Sequence, residues 1–165
     1  GSEMCIRDRQ GAIPENEVLE LQKVKAQIQT EFVNMNWENT GIGSTIFAEK
    51  PGDGSAREQA ASCQKVLGGW ANIAREYATK RYRSNLINWG MLPFLFTDEE
   101  MVFAKGDYLY IPDILEAIKE GRSDVTAYVV KEELQPFTLK LGEMTQDESK
   151  ILIQGCLINY YKLSV

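Results

Sequence analysis

Residues 44–61 read STIFAEKPGDGSAREQAA, and a change of period inside them sets the architecture. Ser44 to Ala48 is short, β-branched and aromatic, the composition of a strand. From about Ser55 the pattern turns helical and runs to Leu67, where Gly68-Gly69 closes it. Between the two elements, Gly52, Gly54, Ser55 and Arg57 crowd a single turn. Ser55-Ala56-Arg57-Glu58 has the spacing of a capping box, in which Ser55 accepts from the Glu58 N–H and Glu58 reaches back. The same turn suits an anion. Two glycines let the backbone bend and approach a ligand, and a helix start gathers free N–H groups at the positive end of its dipole. Arg57 is mildly unfavourable in that first turn, yet its fork of donors matches a carboxylate. The loop lacks the Gly-Lys-Ser/Thr ending of a P-loop, so a small carboxylate is the better ligand.

Outward from this turn, strands and helices alternate. Val18, Leu21, Val24, Ile28, Phe32 and Met35 recur at helical spacing, with Asn16 as the expected cap. Ala71 to Ala74 reads as a strand, Glu76 to Trp89 as a helix ending at Gly90, and Leu92 to Phe96 as a buried strand. Tyr108 to Ile111 and Val125 to Val130 are further strands, separated by a short helix over Pro112 to Glu120. Leu134 to Leu141, interrupted by Pro136, reads as an edge strand. Thr145 and Glu148 have capping-box spacing and should open the last helix. The expected fold is one α/β domain over residues 11–165. Residues 1–10 are excluded from fold reasoning as a tag scar followed by a foreign leader, which makes the chain a fragment of a longer protein.

Composition narrows the chemistry. The chain has 165 residues and a net charge of −6, which argues against a nucleic-acid partner because phosphate neutralisation needs a basic face. A mean hydropathy of −0.30 and 25% charged residues belong to a globular protein, and no apolar run approaches the roughly 18–20 residues that span a bilayer. Cys5, Cys63 and Cys156 are odd in number and far apart, which favours reducing cytoplasm over a disulfide framework. They also cannot by themselves hold an iron–sulfur cluster. Histidine is absent, removing Ser-His-Asp and Cys-His nucleophile systems and every His-based metal site. Arg75, Lys80, Arg81 and Arg83 read as a solvated basic face, Asp98-Glu99-Glu100 as a solvated turn, and Cys63 as a small buried residue.

The segment GDGSAREQAA, followed by LGGWANIAREYATKRYRSNLINWGMLPFLF, resembles the swivel domain of the aconitase family of iron–sulfur hydro-lyases. That family carries a G-x-G-S-S/x-R-E loop, a helix, a strand, and a helix leading into N-x-G-[ML]-L-P. Asn85 and the run Asn88 to Pro93 fit the second part, and Gly106-Asp107 fits a later turn. The ending TQDESKILIQGCLINYYK is similar to the close of the same domain in uncharacterised hydratases of the family.

The resemblance implies a single swivel-type domain with a mixed β-sheet or barrel core and flanking helices. It implies that Ser55 is the base removing the proton next to a substrate carboxylate. Arg57 would bind a carboxylate, with backbone at Gly54 and Ala56 beside it. A [4Fe-4S] cluster in domains absent from this chain would take the substrate hydroxyl as a Lewis acid. The whole protein would be a hydro-lyase acting on a small di- or tricarboxylic hydroxy acid, with this chain inactive alone and dependent on upstream domains or a large subunit. Where aconitases carry a second serine the chain has Ala56, and where they carry a histidine it has Gln59, so citrate or isocitrate is not assumed as substrate. Two other readings stand beside this one: a carboxylate-binding or regulatory module without turnover, and a structural domain whose glycine loop only starts a helix.

Overall fold

A computed structural model describes residues 15–162. Helix α1 (Glu15–Glu31) precedes a short turn at Trp37–Asn39, and then strand β1 (Ser44–Ala48), helix α2 (Arg57–Val66) and strand β2 (Gly69–Ala74) follow. Helix α3 (Lys80–Asn88), strands β3 (Leu92–Leu95) and β4 (Tyr108–Tyr110) and helix α4 (Ile114–Lys119) come next. Strands β5 (Asp124–Val130) and β6 (Leu134–Lys140) lead to helices α5 (Gln146–Gln154) and α6 (Leu157–Lys162).

The strands form one mixed sheet in the order β1-β2-β3-β6-β5-β4. β1, β2 and β3 are parallel and joined through α2 and α3, as parallel strands require a crossover. The second half is antiparallel, with β6 between β3 and β5. The sheet curls: its two edge strands, β1 and β4, supply Thr45, Phe47 and Leu109 to one cavity of about 180 Å³. Phe103, from the loop after β3, spans that opening. Its ring lies 5.7 Å from Phe47, 5.3 Å from Phe96 and 5.4 Å from Phe137. Ile73, Phe94, Phe96, Val129, Leu139 and Leu141 fill the concave interior. Outside it, α1 seals the β4–β6 end, where Phe32 meets the edges of Tyr110 and Tyr128.

Several sequence expectations change here. β6 is not an edge strand. It pairs along its length with β5, but touches β3 only at Leu95↔Lys140, so Pro136 sits where it has no second strand partner. α1 already includes Asn16, which therefore lies inside the helix instead of capping it. α3 begins at Lys80, four residues later than the apolar spacing suggests, because Thr79 caps it through the Tyr82 N–H. The closing helix is two helices: Gly155, at φ 89°, ends α5 before α6 starts. Its capping box forms as expected, with Thr145 Oγ1 accepting from Glu148 N at 3.2 Å and Glu148 Oε2 from Thr145 N at 3.0 Å.

Candidate functional site

The loop of residues 49–56 leaves β1 at its carboxyl end, where ligands gather in open α/β sheets. Its first half is held as a continuation of the β1–β2 pairing. Arg75 N donates to Ala48 O (3.4 Å), Glu76 N to Glu49 O (3.0 Å) and Ala78 N to Pro51 O (2.9 Å). Gly52 ends this anchored stretch. Its φ is 96°, and a Cβ there would come 2.5 Å from Tyr82 Cβ, so both conformation and space demand glycine. Tyr82 is buried, and its hydroxyl accepts from Asn72 Nδ2 and Gln64 Nε2, both at 3.1 Å. The Gly52 carbonyl in turn accepts from Arg57 Nε (3.1 Å) and from the Thr79 hydroxyl (3.3 Å).

Beyond Gly52 the loop is open. Asp53, Gly54, Ser55 and Ala56 are exposed, and nothing lies within 4 Å of where a Gly54 Cβ would be. Gly54 has no positive φ, so of the two glycines only Gly52 makes the turn. The capping box expected at Ser55 does not form. α2 starts at Arg57, its N-cap is Ala56, and no side chain caps it. The start lies one residue later than a Ser55 cap would set it, and Arg57 Nε donates back across the turn to Gly52 O. Ser55 therefore stands free of the helix it precedes, beside an N-terminus whose first N–H groups no side chain satisfies.

The remaining candidates separate. Asn85, Asn88 and Trp89 line a second cavity of about 300 Å³ with Glu58, Cys156, Leu157 and Ile158, between α2, α3 and α6. The basic run is not one solvated face. Lys80 and Arg81 are exposed, but Arg75 stacks on the Phe96 ring and donates to the Phe96, Asp98 and Glu99 carbonyls, fixing the turn after β3. Arg83 pairs with Glu148 at 3.4 Å and donates to the Leu141 and Glu143 carbonyls. Cys63 is exposed, not buried, since α2 buries Ala61 and two residues further turns the thiol about 200° away. Tyr77, in the segment beside the loop, donates to the Asn72 and Phe94 carbonyls, and burial pushes its phenol well above the usual tyrosine range. Among the described residues no three His, Cys, Asp or Glu side chains come together as a metal site.

Comparison with known proteins bears directly on this loop. A family model described as "Aconitase C-terminal domain" matches residues 6–99, more than half the chain and all of the strand–loop–helix just described. The chain belongs to the aconitase C-terminal domain family. Its relatives include the mitochondrial homocitrate dehydratase of Saccharomyces cerevisiae, 31% identical over 76% of this chain and 17% of that protein. Aconitate hydratase A of Rickettsia bellii is 30% identical over 76% of this chain and 15% of its own length. The homoaconitase small subunit of Thermus thermophilus is 34% identical over 71% and 63%. The chain thus spans less than a fifth of the first two relatives. The curled mixed sheet with flanking helices is the swivel fold expected of the family. No helix among the described residues is long and apolar enough to cross a membrane.

Sequence reasoning missed the support beneath the loop: Thr79, Tyr82, Asn72 and Gln64. Two signals for it were present. Asn72 is a polar residue inside the buried strand GWANIA, and Thr79 precedes the run that actually forms α3.

Proposed function

We propose that this chain is the swivel domain of a hydro-lyase acting on a small di- or tricarboxylic hydroxy acid, and that Ser55 and Arg57 are its contribution to the active site. The observation that carries the reading is the uncapped start of α2: Ser55 is exposed and makes no capping bond, although its spacing invites one. A serine kept out of a cap keeps its hydroxyl for other work. The neutral hydroxyl is a poor base, and the N–H groups of the first turn and the Arg57 guanidinium favour its anion. In that form Ser55 Oγ takes the proton from the carbon next to a substrate carboxylate, which Arg57 holds. The exposed Gly54 and Ala56 backbone leaves room for the acid to lie against the loop.

A [4Fe-4S] cluster, held by domains outside this chain, would supply Lewis-acid assistance to the departing hydroxyl. The active enzyme accordingly needs either upstream domains or a separate large subunit; a relative being a small subunit supports the latter arrangement. The absent second serine, replaced by Ala56, leaves citrate and isocitrate without special claim as substrates.

The test is reconstitution with those domains and an assay over di- and tricarboxylates. Ser55→Ala should lower the turnover roughly 10²–10⁴-fold with little change in apparent affinity. An unchanged rate would remove Ser55 from the chemistry. A tricarboxylate that bound the chain tightly without any turnover after reconstitution would favour a carboxylate-binding module instead.

A further inference from the structure

The Gly52 carbonyl does two things at once, and they constrain how Arg57 can meet a ligand. It accepts from Arg57 Nε at 3.1 Å, while the Thr79 hydroxyl donates to the same oxygen at 3.3 Å and accepts from Tyr82 N at 3.2 Å. The Tyr82 ring lies under the Gly52 backbone, closing off any side chain there. Its hydroxyl is in turn fixed by two amides, Asn72 on β2 and Gln64 on α2. Two side chains, Arg57 and Thr79, thus donate to one carbonyl oxygen held over the Tyr82 ring, and that oxygen orients one guanidinium.

A guanidinium binds a carboxylate in two planar ways, side-on through Nε and one Nη, or end-on through both Nη atoms. With Nε–H committed to Gly52, the side-on edge is occupied. Among the described residues neither Arg57 Nη hydrogen-bonds to protein, so the end-on pair of donors is left for a ligand. We infer that Arg57 is preset by the Gly52–Thr79–Tyr82 support to take a carboxylate end-on, through Nη1 and Nη2, and that Thr79 and Tyr82 are positioning residues for it. This rests on the reading of Arg57 as the carboxylate binder. It adds the approach direction: the acid reaches the loop along the long axis of the arginine. Lysine could not substitute, since it has neither the tethered edge nor the paired donors.

The experiment uses the 165-residue chain labelled with ¹⁵N-arginine. The Arg57 Nε–H resonance is assigned by its loss in Arg57→Lys. In the unliganded chain it should exchange with solvent roughly tenfold more slowly than that of exposed Arg81. Thr79→Ala and Gly52→Ala should abolish that difference, and Thr79→Ser should restore it. Tyr82→Phe keeps the ring beneath Gly52 while stranding both amides, so it should lower the melting temperature yet leave the exchange slow. An Arg57 Nε–H that exchanges as fast as that of Arg81, or is indifferent to Thr79→Ala and Gly52→Ala, overturns the preset tether. Titration with tricarballylate then tests the approach: the Nη resonances should shift and Nε should not. A comparable Nε shift overturns the end-on mode while leaving Arg57 as the carboxylate binder. If no Arg57 resonance moves at large excess, the carboxylate reading falls and the end-on mode with it, while the exchange data judge the tether separately.

Discussion

At the scale of single residues, the molecule separates jobs that a linear motif merges. Ser55 has the spacing of a cap and makes none, so its loss should be silent for folding. Ser55→Ala is expected to leave the urea midpoint of this chain within about 0.5 kcal/mol of wild type. A loss of about 1 kcal/mol or more would mean that a cap bond forms in solution. Tyr77 is the converse case, a buried phenol bonded to two carbonyls with its ionisation driven up by burial first and by Tyr82 second. In the unfolded chain the same group ionises near pH 10. Its folded-state value is raised, so its contribution is fully present below pH 10 and is lost as pH rises above it. Stability should therefore fall above that pH, with Tyr77 contributing a slope of about 1.4 kcal/mol per unit. Tyr77→Phe should be about 1 kcal/mol less stable at pH 7 and should show a shallower alkaline decline, by one proton, in denaturant titrations between pH 9 and 11.

At the scale of elements, boundaries are set where side chains reach across the chain. α5 is the simplest case: its Thr145–Glu148 box is local, both bonds form, and it was readable from four residues. Glu148 has a second duty, since its other oxygen meets Arg83 of α3 at 3.4 Å and so ties the C-terminal pair of helices to the crossover helix. Thr145→Ala should cost about 1 kcal/mol, while Thr145→Ser should recover most of it, as read from chemical denaturation. α2 and α3 are different. The turns before them meet through one hydrogen bond between Gly52 and Thr79, which are 27 positions apart. The start of α3 is itself local, since Thr79 accepts from Tyr82 N three residues on, and the apolar spacing overlooked that cap.

At the scale of the whole molecule, curling of the sheet creates both the core and the face that carries the loop. Parallel strands β1, β2 and β3 send their carboxyl ends to the same side, and the loops after them, at residues 49–56, 75–79 and 97–107, lie there together. Phe103 joins β1 to β6 across the open side, with Phe47 on one flank and Phe137 on the other. Phe103→Ala should cost about 2–4 kcal/mol and enlarge the adjoining cavity of about 180 Å³, lowering the urea midpoint without shifting the Arg57 Nε–H exchange. A midpoint that did not move would mean the edges of the sheet are held together by other contacts.

The sequence by itself determined the α/β alternation, the span of β1, the glycine turn, the Thr145 cap and, through the paired motifs, the family. Those features are local: period, turn chemistry and capping are fixed by residues a few positions apart. Tertiary structure decided what lies between distant segments. It put β6 inside the sheet, since strand order follows from pairing and not from composition. It turned Cys63 outward and divided the basic run, leaving Lys80 and Arg81 in solvent while Arg75 and Arg83 hold loop carbonyls. Most of all, it decided the state of GDGSAREQ. The turn is a helix start, as the spacing indicates, but it begins past Ser55, beside a support built by Thr79, Tyr82, Asn72 and Gln64. A serine that could have capped a helix is left exposed beside an arginine bonded to Gly52, whose other contacts, Thr79 and Tyr82, come from a segment far along the chain and so escape a local reading.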